Sequence, residues 1–267
     1  MNIGKDEVQS VSRALKLLNA FTPEKPNYTL QELSQHSGFY KSTILRLANT
    51  LIKWGYLRRS NEGIFSLGSQ VFILGQVYYT SIDLVKIVEP ILEEVAAESQ
   101  ETAAVWIIDN LNRLCLTSVP SPQRIRDSNE PGRRVPIHTG ASGKVLLAFC
   151  QDEAFYQKFK KTSLIQLTPK TITAHKKLEE KLEIIRSVGY DVNLGETDEN
   201  AAAVAVPLWG TDESFLAALT LSGPKTRFTK ENRKLLLKIL WNKGEQISSL
   251  LGYQGNFWKR KIDFSLI

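Results

Sequence analysis

Residues 38–57 read GFYKSTILRLANTLIKWGYL. At about 100° per residue, Ile44, Leu47, Ala48, Leu51 and Trp54 fall on one side of a helix, flanked by Leu45 and Ile52. Ser42, Arg46, Asn49 and Lys53 form a stripe on the other side, with Thr43 and Thr50 beside it. Every member of that stripe donates hydrogen bonds and none is acidic. A solvated helix normally mixes Glu with its Lys, so the stripe reads as a face made for an acceptor-rich partner.

The flanks agree. Thr29-Leu-Gln-Glu32 has the form of a capping box, and the short helix it opens carries Leu30 and Leu33 inward and stops at Gly38, a natural residue beyond a helix end. Upstream, Val8, Val11, Leu15, Leu18 and Phe21 recur at helical spacing as one apolar face, with Ser10 as cap and Pro23 and Pro26 as terminators. Phe39 and Tyr40 are poor caps for the helix that follows them. Downstream, YLRRSNEGIFSL (56–67) places two β-prone segments around Ser60-Asn-Glu-Gly63, with Arg58 and Arg59 at the base of the turn. Two helices joined by a glycine-containing turn and followed by a basic hairpin form a winged helix-turn-helix. The residues offered to DNA are Lys41, Ser42, Thr43, Arg46, Asn49, Lys53, Arg58 and Arg59. Ser42, Thr43 and Arg46 stand nearest the bases, and Lys41 and Lys53 nearer phosphate.

Charge points the same way. The 267 residues carry a formal net charge of +6. Up to residue 70, nine Lys and Arg face five Asp and Glu, so a surplus of four sits in about a quarter of the chain. That asymmetry suits a polyanion. The two cysteines, Cys115 and Cys150, have no metal-ligand neighbours and read as free thiols in a reducing cytoplasm. MNIGKDEVQS has no apolar core for a signal peptide, and no run approaches the roughly 20 apolar residues of a membrane span, so no membrane partner is expected.

Beyond residue 69 the pattern changes. Residues 70–80 (QVFILGQVYYT) read as a linker helix whose aromatics imply a dimer contact. Pro90 should kink or break the next helix. TAAVWIID and RLCLTSV flank a hairpin signal at Asn110-Leu-Asn112, and further strands fit GYDVN, AAAVAVPLW and FLAALTLS. Helices fit ASGKVLLAF, AHKKLEEKLEIIRSV and the stretch from Thr229 to Leu251. Hairpins with flanking helices make an α+β sensor-type domain on a mostly antiparallel sheet. GASGK is not a phosphate loop, since His138 stands where its first glycine belongs and Val145 follows the lysine. Residues 140–144 can still present backbone N–H groups to an anion, or be a tight turn and no more. Arg124 and Arg126 offer a bidentate carboxylate grip, or one of them is solvated. His36, His138 and His175 lack any accompanying nucleophile, so no catalytic set, metal site or cofactor is expected.

SVSRALKLLNAF, LQELSQHSGFYKSTILRLANTL, KWGYLRR and FSLG resemble the winged-helix domain of IclR-type bacterial transcriptional regulators. VEPILEEVAAES, PIHTGASGKVLLAF, IRSVGYDVN and FLAALTLSGP resemble that family's ligand-binding domain, in the same order, so the likeness spans about residues 8–252. It implies a GAF-like effector domain, a homodimer or homotetramer, and control of catabolic or uptake genes by a small metabolite, an acidic one on this likeness. It also implies effector contacts at Ala141, Ser142, Asn193, Ala201, Ala203, Thr220 and Ser222. The chain departs from the family where Asn193 replaces a frequent acidic residue, Ala203 a frequent Cys, and Asn200-Ala-Ala a frequent Gly-Val stretch. Loss of a carboxylate at 193 eases acceptance of an anion.

The expected organisation is a winged helix-turn-helix over 1–69, a linker helix over 70–80, a GAF-like effector domain over 81–252, and a tail over 253–267 that either docks or stays disordered. The expected partners are double-stranded DNA, a small-molecule effector and further copies of the chain, in the cytoplasm. Two other readings fit the same residues: an enzyme with an accessory winged helix, and an adaptor whose winged helix binds protein.

Overall fold

The computed structural model describes residues 7–81 and 83–267. The chain divides into two units, with the boundary between 82 and 83. In the first, α1 (Gln9–Leu18), β1 (Asn27–Tyr28), α2 (Leu30–Ser37), α3 (Lys41–Lys53), β2 (Leu57–Arg59), β3 (Phe65–Leu67) and α4 (Ser69–Ser81) follow in order. The Thr29 capping box is closed in both directions: Glu32 N–H donates to the Thr29 hydroxyl, and Thr29 N–H to the Glu32 carboxylate at 2.8 Å. Gly38 ends α2 in the left-handed region, φ +75°. The β2–β3 hairpin turns at Gly63 in register Leu57↔Leu67, and β1, which no periodicity foretold in two residues, adds to the far side of β3. Leu17, Leu33, Ile44, Ala48, Leu57 and Phe65 close the core of this unit.

Three sequence expectations fail here. Val8, Val11 and Leu15 do not face inward but are about half exposed or more, because α1 packs through Ala14, Leu17 and Leu18 instead. Trp54 is 68 % exposed rather than buried with Leu51. It caps α3 outside the helical register, and Gly55 at φ +75° then turns the chain away, with Tyr56 N–H reaching back to the Leu51 carbonyl. Ser10 does not cap α1; Val8 holds that position without a side-chain bond. The expected linker helix corresponds to α4, with Phe72 69 % exposed.

The second unit opens on α5 (Asp83–Ser99), which runs through Pro90 without a break. A proline withholds one N–H from the helix, but Val85, Val88, Ile91, Leu92, Val95 and Ala96 bury along the same helix and hold it to one course. There follow β4 (Thr102–Asp109), β5 (Asn112–Val119), β6 (Arg134–Pro136), α6 (Gly140–Phe149), α7 (Glu153–Phe159), α8 (His175–Val188), β7 (Asp191–Leu194), β8 (Ala201–Trp209), β9 (Phe215–Pro224) and α9 (Lys230–Leu250). The strands form one antiparallel sheet in the order β6-β5-β4-β9-β8-β7. Ala104, Trp106, Ala205 and Ala218 pack with α6 and α8. Their neighbours Ala103, Val105, Val204, Val206 and Leu219 are equally buried and, by strand alternation, face the other way. Contacts of α5 and α9 with the strands supply that second cover. A sheet covered on both faces explains the unbroken apolar runs in its strands. This is the expected α+β, GAF-like architecture.

The tail docks. Phe257 and Trp258 are buried, with Phe257 against Trp209, Trp241 and Phe149 and the Arg260 guanidinium 4.0 Å from its ring centre. Nearer the end, Leu266 N–H donates to the Tyr190 hydroxyl. Phe257→Ala is therefore expected to destabilise the unit from 83 onward by about 3–5 kcal/mol, read from urea unfolding. A loss below about 1 kcal/mol would mean the tail is not part of this core.

Candidate functional site

Two places carry chemistry, one in each unit. In the first, burial of Ile44, Ala48 and Leu51 seats α3, and helical geometry turns the opposite face outward. Lys41, Ser42, Arg46, Asn49 and Lys53 are exposed and Thr43 half-buried. Among the described residues the side chains of Arg46, Asn49 and Lys53 take no hydrogen bond or ion pair, so their donors stay available. Tyr40, at the head of the same helix, is 85 % exposed. In the wing, Arg58 Nε donates to Ser66 Oγ at 2.7 Å, and the Arg59 guanidinium lies 5.1 Å from the Phe65 ring centre. Both arginines are exposed on adjacent positions of β2, which point to opposite faces of the hairpin.

In the second unit a cavity of about 270 Å³ opens on the α6 side of the sheet. Ala141, Asn193, Ala201, Ala203, Thr220, Ser222 and Arg126 line it. Ser142 stands just behind, its hydroxyl accepting from Arg113 Nη1. Arg124 is exposed and outside the lining, while Arg126 belongs to it. The lining also includes residues not singled out beforehand: Trp106, Arg113, Ser128, Asn129, Arg133 and Thr197. Arg113 is the chief of these. It comes from the start of β5, as its second residue, and its guanidinium lies 4.4 Å from the Trp106 ring centre. Burial pushes its pKa down to about 10, with Arg133 adding to the effect. Its place at the head of the strand segment RLCLTSV was the one available signal, a charge next to a mostly buried run.

Three polar atoms at the cavity are buried without a partner: Arg113 Nε, Asn193 Nδ2 and Thr197 Oγ1. Leaving such groups unpaired is costly, and all three can donate a hydrogen bond. Other groups are already engaged. Arg133 donates to the Ser128 carbonyl at 2.7 Å and to Asn129 Oδ1, and lies 3.8 Å from Asp127. Trp106 Nε1 donates to Thr220 Oγ1, and Asn129 Nδ2 to Ser222 Oγ.

The start of α6 departs from the expectation of a free anion edge at 140–144. Gly140 N–H donates to the chain's own Glu196 carboxylate at 3.3 Å, which meets the partial positive charge of the helix end. Beneath it Lys144 is wholly buried and pairs with Glu196 and, at 3.1 Å, with Asp191; Lys181 holds the other Asp191 oxygen at 2.8 Å. Burial disfavours the Lys144 charge, yet the two carboxylates outweigh it and leave its pKa above the ordinary value. Gly143 is glycine by contact, since a Cβ there would meet the Ile137 carbonyl oxygen at 2.1 Å. The histidines lie apart from one another: His138 Nε2 bonds the Ile165 carbonyl, His175 Nε2 that of Thr162, and exposed His36 sits 5.8 Å from the Tyr28 ring. Cys115 is buried and Cys150 half-buried, both free. Among the described residues no cluster of His, Cys, Asp or Glu is arranged to hold a metal, and no helix is long and apolar enough to cross a membrane.

A winged helix followed by this sheet domain matches two family models, the IclR helix-turn-helix domain over residues 10–61 and the bacterial transcriptional regulator IclR C-terminal domain over 76–249. The chain belongs to the IclR family. As a member it is a DNA-binding, ligand-responsive transcriptional regulator. Similar IclR-family proteins include the HTH-type transcriptional regulator KipR of Bacillus subtilis, 29 % identical over 92 % of this chain and 98 % of that protein. KdgR of Dickeya chrysanthemi is 28 % identical over 93 % and 81 %. A solved putative transcriptional regulator from Rhodococcus sp. RHA1 superposes with a TM-score of 0.79 at 26 % identity, covering 92 % of this chain and 99 % of that one.

Lys144→Met should destabilise this IclR-family effector domain by about 3–5 kcal/mol, because it leaves two carboxylates around a buried site without their shared cation. Urea unfolding measures it. Adding Asp191→Asn and Glu196→Gln to Lys144→Met should recover much of the loss; no recovery would contradict the pairing as the cause.

Proposed function

We propose that α3 enters the major groove of an operator, with Ser42, Thr43 and Arg46 at the base edges, Asn49 beside them, and Lys41 and Lys53 at phosphates. Arg58 and Arg59 of the wing lie along the neighbouring backbone. The observation that carries this reading is the unengaged donor face of α3, free of acidic residues and aimed at solvent. Arginine to guanine O6/N7 is the commonest specific pairing, which makes Arg46 the base reader and Lys53 a charge contact.

In the same proposal residues 1–69 are the DNA-binding head, 70–80 a linker helix, 81–252 the effector domain and 253–267 a tail fastened to it. The effector is a small acidic metabolite in the cavity lined by Ala141, Asn193, Ala201, Ala203, Thr220, Ser222 and Arg126, with Ser142 behind and Arg124 outside. The three unpartnered donors support an anionic ligand. The regulator works in the cytoplasm on catabolic or uptake genes, without catalysis, as a homodimer or homotetramer. Exposed Phe72, Ile73 and Leu74 on α4 support association.

Arg46→Ala should cost about 1–3 kcal/mol at the selected operator and relax preference at one base pair. Lys53→Ala should weaken all duplexes alike and lower the salt slope by about one unit. Selection from a random duplex library, followed by affinity measurement across salt, checks both. An unchanged preference in Arg46→Ala removes that residue from base reading.

A further inference from the structure

The first 70 residues are not the most basic part of the chain. Residues 225–267 carry ten Lys and Arg against three Asp and Glu, a surplus of seven, where the first 70 carry a surplus of four. With a formal charge of +6 on the whole chain, residues 71–224 are net acidic by five. Some of the C-terminal cations are already engaged. Arg227 holds Glu101 at 2.6 Å, Lys243 holds Glu94, and the Arg260 guanidinium lies on the Phe257 ring. Lys230, Lys234, Lys238, Lys259 and Lys261 are exposed, and none of them forms an ion pair among the described residues.

The fold gathers these five. Lys230, Lys234 and Lys238 recur every four residues on α9 and span about 12 Å of its axis. The tail turns back along the same helix. The Trp258 ring occupies the space that Gly244 leaves open, where a Cβ would come within 2.5 Å of it, and the Phe264 ring centre lies 5.9 Å from Lys234 Nζ. Residues 259–263 thus run from the level of Gly244 to that of Lys234, which brings Lys259 and Lys261 alongside the α9 lysines as one cationic band.

Helix stability alone argues against this arrangement. Lys230 is the first residue of α9 after the Thr229 cap, at the positive end of the helix dipole. Like charges four residues apart repel each other. Glu231, the one acid in residues 230–240, pairs with none of the five among the described residues. Charges kept where the helix gains nothing from them point to an anion outside the chain. The surroundings of the band say which kind. Phe257 and Trp258 turn inward, and Leu235 is the one large apolar side chain exposed on that half of α9, so the apolar centre of a protein interface is missing. All five cations are lysines, point charges that meet phosphate without the planar fork that reads a base edge. A duplex strand offers a phosphate about every 3.4 Å of its axis, so a strand laid along α9 meets the three helical lysines together.

We infer that α9 and the docked tail form a second, sequence-independent contact for the phosphates of duplex DNA, apart from the winged helix. The inference rests on the family's DNA binding and not on the base contacts assigned to α3.

The test starts with lysine acetylation of the full chain, read residue by residue by mass spectrometry, with and without a long non-operator duplex. Lys230, Lys234, Lys238, Lys259 and Lys261 should be protected by DNA, and the exposed Lys158, Lys161, Lys176 and Lys177 should not. Protection confined to Lys41 and Lys53 overturns the band and leaves the winged helix standing. The second arm titrates the same duplex across salt with Lys230→Gln, Lys238→Gln, Lys259→Gln and Lys261→Gln combined. The salt slope should fall by about two units or more and affinity at 0.1 M salt by about tenfold or more, with preference for the selected operator and the unfolding midpoint unchanged. A matched variant with Lys158, Lys161, Lys176 and Lys177 changed to Gln should keep the wild-type slope. An equal fall in both variants reduces the effect to net charge and overturns the band. An unchanged slope in the first variant overturns DNA as its partner and leaves an acidic protein as the rival.

Discussion

The reading of the N-terminal unit depends on one constraint: α3 has a single way to bury Ile44, Ala48 and Leu51. Those three positions meet Leu17 of α1 and Leu33 of α2 in one closed core. Once they are inside, a period of about 3.6 residues leaves Ser42, Arg46, Asn49 and Lys53 no direction but outward. The closed capping box on α2 and the left-handed Gly38 fix where α2 ends and α3 starts. Tyr56 returning to the Leu51 carbonyl then fixes where α3 stops and the wing begins. Recognition chemistry here follows from apolar packing on the far side of the helix.

The effector unit solves a different problem. Its sheet is buried on both faces, so a polar hole inside it must be held open against collapse. Arg113 laid on Trp106, with Lys144, Asp191, Glu196 and Lys181 around the start of α6, gives a charged frame in which most groups answer one another. What remains unanswered are the donors of Arg113, Asn193 and Thr197, where the proposed effector would contribute. The small side chains Ala141, Ala201 and Ala203 leave the space.

Much of this was legible in the residues. Amphipathic helices such as α3 and α8 declare themselves by period, and capping chemistry at Thr29 and Gly38 marks their ends. Short elements did not: β1 has two residues and β6 three, and pairing with a neighbour, not local pattern, makes them strands. The inward face of α1 was misread because Val8, Val11 and Leu15 share a helical spacing with Leu18, while the packing runs through Ala14, Leu17 and Leu18. Pro90 was weighed by its local cost alone, without the burial along α5 that exceeds it. In the cavity, Ala141, Asn193, Ala201, Ala203, Thr220 and Ser222, carried by resemblance, fell along its walls, and Ser142 behind them. Arg113, Asn129, Arg133 and Thr197 escaped because they converge from β5, the 120–133 loop and the 195–200 loop, a meeting that sequence spacing does not reveal.

The most direct measurement of the central claim is dimethyl sulfate protection of a selected operator duplex by the full-length protein. Methylation at guanine N7 reports the major groove, and at adenine N3 the minor groove. If α3 presents its donor face to base edges, one or more guanine N7 positions in each half-site are protected, and Arg46→Ala restores reactivity at one of them. Protection confined to adenine N3, or guanine N7 reactivity untouched in the saturated complex, would show that the donor face of α3 does not read DNA.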